Sequence, residues 1–342
     1  MRVTAASEKH SADWDAFVSA HAQCVNYHRW AWKRVIEQAF GWRTFYLMAQ
    51  ENEQVRGVLP LVWLKSRLFG SLLCSVPFFS EGGIVAENQE TREQLLVEAV
   101  ALAGKLGVQY LELRHAAALG LDLRSKTDKV TLVCDVDRDP EKIMQSLTTK
   151  MRTNVRRSLK SELKAEFGGA EFLDDFYDIF AVKMRDLGTP VYGKKLFKRI
   201  LVNFPNDSYV CRITHGGKTV SAAFLTGYRG NIEANWSASA PDALGLRPNM
   251  FLFWNLLCFA GSQGYKTFDF GRSSAGSGTY NFKLQWNTRV TQLHWDYWTP
   301  SGEEVPELNP RNPRYRTAIS IWRKLPLSVT KLVGPRLSRC LP

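Results

Sequence analysis

Two stretches of the chain show helical and then strand periodicity in the same order. In the first, Leu95, Leu96, Ala99 and Leu102 recur at helical spacing, a glycine follows, and an apolar run ends at Leu113. In the second, Phe251, Trp254, Leu257 and Phe259 precede Gly264 and a run ending at Phe270. Each reads as a helix, a glycine C-cap and a buried strand. The segments align residue by residue: Ala103-Gly-Lys-Leu-Gly107-Val-Gln-Tyr-Leu111-Glu112-Leu113 on Ala260-Gly-Ser-Gln-Gly264-Tyr-Lys-Thr-Phe268-Asp269-Phe270. Both fit Ala-Gly-x-x-Gly-x-x-x-apolar-acid-apolar at an offset of 157 residues. Self-similarity of this kind marks a duplicated unit.

A second echo agrees. Polar Gln50-Glu-Asn-Glu-Gln-Val precedes the mostly apolar Arg56-Gly-Val-Leu-Pro-Leu-Val-Trp63, and Thr214-His-Gly-Gly-Lys precedes Thr219-Val-Ser-Ala-Ala-Phe-Leu-Thr226. Polar turns between β-rich runs predict antiparallel hairpins. Hairpins followed by a helix and a further strand predict a mixed α/β sheet, unlike a doubly wound parallel fold. Pro60 then belongs at an edge or a bulge. Asp139-Pro140-Glu141 is a helix start, with a capping acid, proline in the first turn and a second acid behind it. The expected division is a first domain over 1–137, a second over 138–305 that holds the reaction centre, and a tail over 306–342.

Charge and composition narrow the class. At 342 residues, with 45% hydrophobic and 23% charged positions, the chain has the make-up of a globular protein with a sizeable core. No run approaches the roughly 18 to 20 apolar residues of a spanning helix, so a cytoplasmic protein is expected. The six cysteines, Cys24, Cys74, Cys134, Cys211, Cys258 and Cys340, show no metal-ligand spacing and read as buried thiols. The net charge of +12 is concentrated at the end of the chain. Arg311, Arg314, Arg316, Arg323, Lys324, Lys331, Arg336 and Arg339 stand there with no Asp or Glu, interleaved with Ile319, Trp322, Leu327, Val329, Leu332 and Val333. Such a segment suits an anionic membrane surface or a phosphate-rich partner; equally, it suits a helix packed on the body with its basic face in water.

Two segments carry candidate chemistry. From Lys150 to Lys164, Arg152, Arg156, Lys160 and Lys164 form one predicted helical stripe beside an apolar stripe of Met151, Val155, Leu159 and Leu163. The basic stripe is either a solvated face or a contact for phosphate or an RNA backbone, with Arg152, Asn154 and Arg156 as contact residues. The second segment follows the later repeat. Asp269-Phe-Gly-Arg272 opens into Ser-Ser-Ala-Gly276-Ser277-Gly278 and ends in Tyr280-Asn-Phe282-Lys283-Leu-Gln-Trp286. A glycine-rich loop with one arginine lets backbone N–H groups approach an anion. The same place in the first copy, Arg114-His-Ala-Ala-Ala-Leu-Gly, lacks the Gly-Ser-Gly and the lysine, so copy two holds the chemistry. Asp269 sits at the strand end where a base would, but Glu112 occupies the equivalent place in copy one, and a shared structural role follows. The coenzyme A pyrophosphate signature belongs between a strand and the next helix, here Ser237 to Asn249, and that stretch does not fit it.

At these residues the chain resembles the FemAB family of peptidyltransferases, and within it the branch associated with exosortase and exopolysaccharide gene clusters. The matching stretches are Gly57 to Val62, Lys65 to Gly70, Ser75 to Gly83, Lys150 to Lys160, Leu187 to Tyr192, and Asp269 to Arg272 through Gly278 to Trp286. The resemblance implies a tandem pair of GNAT-like domains that moves an activated acyl group onto an amine, in a cell-envelope or exopolysaccharide precursor. It implies that Lys283 faces the acyl donor and holds the carbonyl oxygen as negative charge develops. Arg272 and the Gly276-Ser277-Gly278 loop would then meet a substrate anion, and Tyr192 and Tyr280 are candidate hydrogen-bond donors to substrate. The other reading of Lys283 packs its stem between Phe282 and Trp286 with its head in water. Aminoacyl-tRNA and acyl-CoA are the donors in view, used as co-substrates with no tightly bound cofactor or metal. The partners are a phosphate-bearing sugar or lipid-linked precursor, tRNA, and the inner membrane through 311–342. An acyl-CoA-dependent N-acetyltransferase and a non-catalytic RNA- or membrane-binding protein of the same fold are the alternatives.

Overall fold

The computed structural model describes residues 1–66, 70–300, 302, 305 and 316–340. Of the segments singled out above, residues 67–69 and the tail residues 306–315, with Arg311 and Arg314 among them, and 341–342 lie outside the described residues. In chain order the elements are β1 (Arg2–Ala5), α1 (Ser11–Ala20), α2 (Ala31–Phe40), β2 (Arg43–Glu51), β3 (Gln54–Ser66), β4 (Gly70–Cys74), β5 (Val85–Ala86), α3 (Gln89–Leu106), β6 (Tyr110–His115), β7 (Arg124–Lys126), β8 (Lys129–Asp135), α4 (Pro140–Ser146) and α5 (Thr149–Ser158). They continue as β9 (Lys164–Gly168), α6 (Leu173–Leu187), α7 (Lys194–Asn203), β10 (Ser208–His215), β11 (Lys218–Tyr228), β12 (Asn231–Ser239), α8 (Pro248–Ser262), β13 (Thr267–Ser274), α9 (Gly278–Leu284), β14 (Arg289–Gln292), β15 (His294–Trp298), α10 (Arg316–Lys324) and α11 (Leu327–Ser338).

Two compact units result, each on one mixed sheet. The first unit holds Met1–Lys129, Gln292–Leu308 and Leu337–Pro342; the second holds Val130–Thr291 and Asn309–Arg336. The first sheet has the order β1-β2-β3-β4-β6-β15-β7 with β5 on β3, and the second β14-β8-β13-β12-β11-β10-β9. The expected boundaries at 137 and 305 therefore move. β8 lies in the second sheet between β14 and β13. β15 lies in the first, antiparallel to β6 from His294↔His115 to Trp298↔Leu111. The alternation of buried Val130, Leu132 and Cys134 reports which side chains are covered and is blind to the sheet that receives the strand.

Both repeat segments fold as expected, down to the caps. The Val108 N–H reaches Ala103 O at 3.2 Å and that of Gly107 reaches Gly104 O at 3.1 Å; one repeat later Tyr265 reaches Ala260 O at 3.0 Å and Gly264 reaches Gly261 O at 3.0 Å. The strands that follow pair in parallel over the same three steps. β4 and β6 pair from Leu72↔Tyr110 to Cys74↔Glu112, and β12 and β13 from Asn231↔Thr267 to Glu233↔Asp269. Both predicted hairpins form, β2–β3 and β10–β11. Pro60 pairs with Tyr46 on one side of β3. On the other side it falls between the stretches matched to β5 and to β4, where a missing N–H disturbs no ladder.

Helices cover both faces of each sheet. In the first unit Leu47, Ala49, Leu59, Leu61, Leu73 and Leu111 of the sheet pack with Leu95, Ala99 and Ala103 of α3. Tyr46 of β2 meets Trp14 and Trp30 on the side of α1 and α2. In the second unit Ala223, Leu225, Ile232 and Ala234 pack with Leu252, Leu256 and Ala260 of α8, while Phe224 and Trp236 face Phe176 and Phe197 of α6 and α7.

The repeat glycines are not equivalent in packing, which makes a paired test. A methyl group at Gly104 meets nothing within 4 Å, whereas one at Gly261 would lie 1.9 Å from the carbonyl oxygen of Asp137. Gly104→Ala is expected to raise the unfolding midpoint in denaturant, by up to about 1 kcal/mol from the lost backbone freedom of the unfolded chain. Gly261→Ala should lower it by roughly 1–3 kcal/mol, because backbone must move. Equal shifts from the two variants would contradict this packing.

Candidate active site

The second unit's sheet opens at one place. β12 and β13 pair with each other for three residues and then part, β12 staying on β11 as far as Ser239 and β13 running on to Ser274. β12 is also bulged, since Leu225 faces Ala234 and Phe224 faces Trp236, leaving Asn235 as the extra residue. β13 turns at Gly271, whose φ of 71° is in the left-handed region that favours glycine. After the turn at Gly276, Ser277 caps α9 by accepting the Tyr280 N–H at 3.2 Å. Phe282 and Trp286 seat α9 against Phe253 and Phe270 of the core.

That seating turns Lys283 inward. Its ammonium donates to Gly271 O at 2.7 Å and to Arg272 O at 3.0 Å. An ammonium has three N–H donors. Among the described residues no acceptor takes the third, so it can meet an oxygen that arrives from outside. The reading with the lysine head in water is not what the structure holds. Burial pushes this ammonium down to a pKa of about 8, and Arg272 pushes the same way against the carboxylates of Asp269 and Glu233.

Those carboxylates surround it. Asp269, 7% exposed, accepts Thr131 Oγ1–H and the Gly271 N–H, each at 2.7 Å. Burial raises its pKa, and those two donors and Lys283 oppose the rise. Asp269 therefore fixes the left-handed turn whose carbonyl orients Lys283, in keeping with the expected structural role. Glu233 is its partner across the β12–β13 pairing, and its carboxylate comes within 3.5 Å of where a Gly271 Cβ would stand. Sequence reasoning missed Glu233 and Thr131. The alternation of Ile232 and Ala234 with Asn231, Glu233 and Asn235 was the available signal for a strand with one polar face. Ser273 Oγ and Trp286 Nε1 are buried donors with no hydrogen-bond partner among the described residues, each costing about 1–3 kcal/mol in that state.

The other candidates divide. Arg272 lies in β13, Gly276 and Ser277 in the turn after it, and Gly278 and Tyr280 in the first turn of α9; beyond the adjoining chain, no atom of the described residues comes within 4 Å of a Cβ built at Gly276 or Gly278. The basic helix is shorter than expected. α5 ends at Ser158, whose Oγ bonds back to Val155 O, and Lys164 is already in β9, so Lys160 and Lys164 leave the predicted stripe. Arg152 is turned to its own neighbourhood, donating to Leu147 O at 2.9 Å, Gln145 O at 3.3 Å and Thr149 Oγ1 at 3.1 Å. Asn154 accepts from Arg247, the residue ahead of α8, at 3.3 Å. Arg156 is exposed. Tyr192 sits against Phe180 and Trp236, and its carbonyl accepts the Tyr177 hydroxyl.

The first unit fills the equivalent opening. At the repeat offset, Gly271 corresponds to Arg114 and Asp269 to Glu112. Arg114, 2% exposed, directs Nε and Nη2 to Glu112 Oε1 at 2.7 and 2.6 Å and Nη1 to Phe79 O at 2.8 Å. One copy supplies the cation beside the strand acid from the strand itself. The other leaves a glycine there and brings the cation from a helix.

Residues 149–284 match the family described as an acetyltransferase (GNAT) domain. The fold is a tandem pair of GNAT-like domains. Among solved structures, FemX superposes with a TM-score of 0.67 at 15% identity, covering 86% of this chain and 97% of that one. The tandem GNAT protein from the clavulanic acid biosynthesis pathway gives 0.57 at 11% identity, covering 89% and 99%. L-PGS from Bacillus licheniformis gives 0.54 at 14% identity, covering 93% and 97%. No curated protein matches by sequence. These likenesses carry the tandem GNAT fold and an acyltransferase-type second domain; none reaches an identity that carries a substrate.

Proposed function

We propose that this tandem GNAT protein transfers an activated acyl or aminoacyl group to an amine of a cell-envelope or exopolysaccharide precursor, with its reaction centre around Lys283. The observation that supports this best is the half-buried Lys283 ammonium, anchored by two carbonyls where β12 and β13 part, with one N–H uncommitted among the described residues. In the reaction the amine attacks the donor carbonyl, forming the C–N bond while the carbonyl electrons move to oxygen. The oxyanion accepts the third Lys283 N–H. Collapse re-forms the carbonyl and breaks the C–S bond of a thioester or the C–O bond of an aminoacyl ester; the amine loses its proton to water, and the departing thiolate or alkoxide takes one up from water and leaves as thiol or alcohol. Arg272, next to the Gly271 turn, would meet a polar or anionic group of the substrate. Aminoacyl-tRNA is the donor favoured by the FemAB resemblance, and acyl-CoA the alternative.

The test is an assay of the full chain against aminoacyl-tRNA and acyl-CoA in parallel, with amine acceptors of the envelope-precursor class. Since the ammonium is the competent form, kcat/KM should fall as pH rises through about 8, the value to which burial moves Lys283. A rate that climbs steadily to pH 10 would show that the lysine works unprotonated, and would exclude the oxyanion role.

A further inference from the structure

The C-terminal helices α10 and α11 have one face on the second unit and one face in solvent. Trp322 and Thr330 are buried, and Gly334 lies against Val191. Ile319 lies against Gly188. Lys331 pairs with Asp178 of α6 at 2.5 Å, and Arg323 reaches Leu187 O at 3.3 Å. The solvent face keeps large aliphatic side chains: Leu332 is 66% exposed, Ile321 57% and Val329 38%. Val329, Leu332 and Arg336 recur at three- and four-residue spacing, so they form one stripe of α11, and Ile321 and Lys324 stand three apart on α10. Arg316, Lys324 and Arg336 are exposed, and no acidic residue occurs anywhere from 311 onward.

We propose that this face docks on an anionic lipid bilayer, with Ile321, Val329 and Leu332 entering the headgroup region and Arg316, Lys324 and Arg336 meeting lipid phosphates. Three features favour a bilayer over a nucleic acid. The exposed apolar groups are aliphatic, whereas single-stranded nucleic acid is held by stacking on aromatic rings. They share a helix face with the cations, the pattern of helices that lie in the interface plane. The complete lack of acids matches a negative surface over a broad area. No helix among the described residues is long and apolar enough to cross a membrane, so contact would be peripheral. The proposal does not rest on the transferase reading.

Sedimentation of the full chain with vesicles of phosphatidylcholine, with and without about a third phosphatidylglycerol, tests it. Binding is expected to the anionic vesicles alone, and to weaken as salt rises from about 0.1 to 0.5 M. Ile321→Glu with Leu332→Glu should weaken it at least about tenfold, and Lys324→Ala with Arg336→Ala should weaken it about fivefold per cation removed. Val97→Glu, at a 64% exposed position of α3, should leave it unchanged. All variants should retain the parental circular dichroism and melting midpoint. Equal binding to neutral vesicles, indifference to both paired substitutions, or retention of tRNA in a filter assay without vesicle binding would each overturn the proposal.

Discussion

Lys283→Met is expected to lower kcat by about 10²- to 10³-fold while leaving the melting midpoint within a few degrees of the parent. The rate effect follows from the third N–H. If it meets the oxyanion and the other two are held by Gly271 O and Arg272 O, the variant loses a donor already aimed at the developing charge. The stability effect is a near cancellation. Holding an ammonium whose pKa has fallen from 10.5 to about 8 costs roughly 3 kcal/mol at neutral pH, and methionine removes that cost. Against it stand two carbonyls left without their donor, at about 1–3 kcal/mol each and relieved where water enters, while Asp269 keeps its Thr131 and Gly271 donors. Steady-state kinetics on the productive donor and acceptor, with a thermal melt of the same sample, give both readouts. Activity within tenfold of the parent would remove Lys283 from the reaction. A collapse of the melt would make it a structural residue.

How much of this was legible in the sequence depends on what each signal reports. The duplicated units were readable because Ala103 to Leu113 and Ala260 to Phe270 repeat the side chains that cap a helix and bury a strand, and both outcomes depend on local chemistry. The hairpins and the Asp139-Pro140 helix start were legible for the same reason. The placement of β8 and β15 was not, since strand alternation encodes burial and not partner. The length of α5 was overestimated because apolar residues continue through Leu159 and Leu163 at helical spacing, although Leu159 is 44% exposed and Leu163 packs from the turn that leads into β9. At the site, Lys283 was singled out by resemblance, but its two carbonyl anchors depend on a backbone turn that Gly271 alone permits. The polar face that carries Glu233 shows in the alternation of β12, but its meeting with Asp269 and Thr131 does not, because the three strands are adjacent only in space. The helical spacing that drew attention to Arg152 reaches only as far as Arg156, and the Arg152 guanidinium closes on the end of α4.

Arg114→Met is expected to destabilise the protein by about 3–5 kcal/mol, a fall in melting midpoint of about 10 °C. Arg114 is the cation of a buried pair. It holds Glu112 through two nitrogens and Phe79 O through a third, its guanidinium carbon is 4.3 Å from the centre of the Trp295 ring, and its backbone oxygen receives the N–H groups of Gly82 and Gly83. Methionine can fill the space. It leaves the Glu112 carboxylate, 5% exposed, without a cation, held by the Tyr297 hydroxyl and the weak thiol donor of Cys74 at 3.4 Å. An uncompensated buried charge is the costly outcome, more than the loss of attraction, so Glu112→Leu added to Arg114→Met should restore most of the stability. This pattern would identify the pair as the filling of a cleft that the second copy keeps open at Gly271. Transfer measured well below the new melting midpoint should be unchanged in the double variant, because the pair lies in the first unit and the proposed reaction centre in the second. A double variant that stays as unstable as the single one would show that the arginine supports the strand by shape and backbone contacts, and that the charge on Glu112 is incidental.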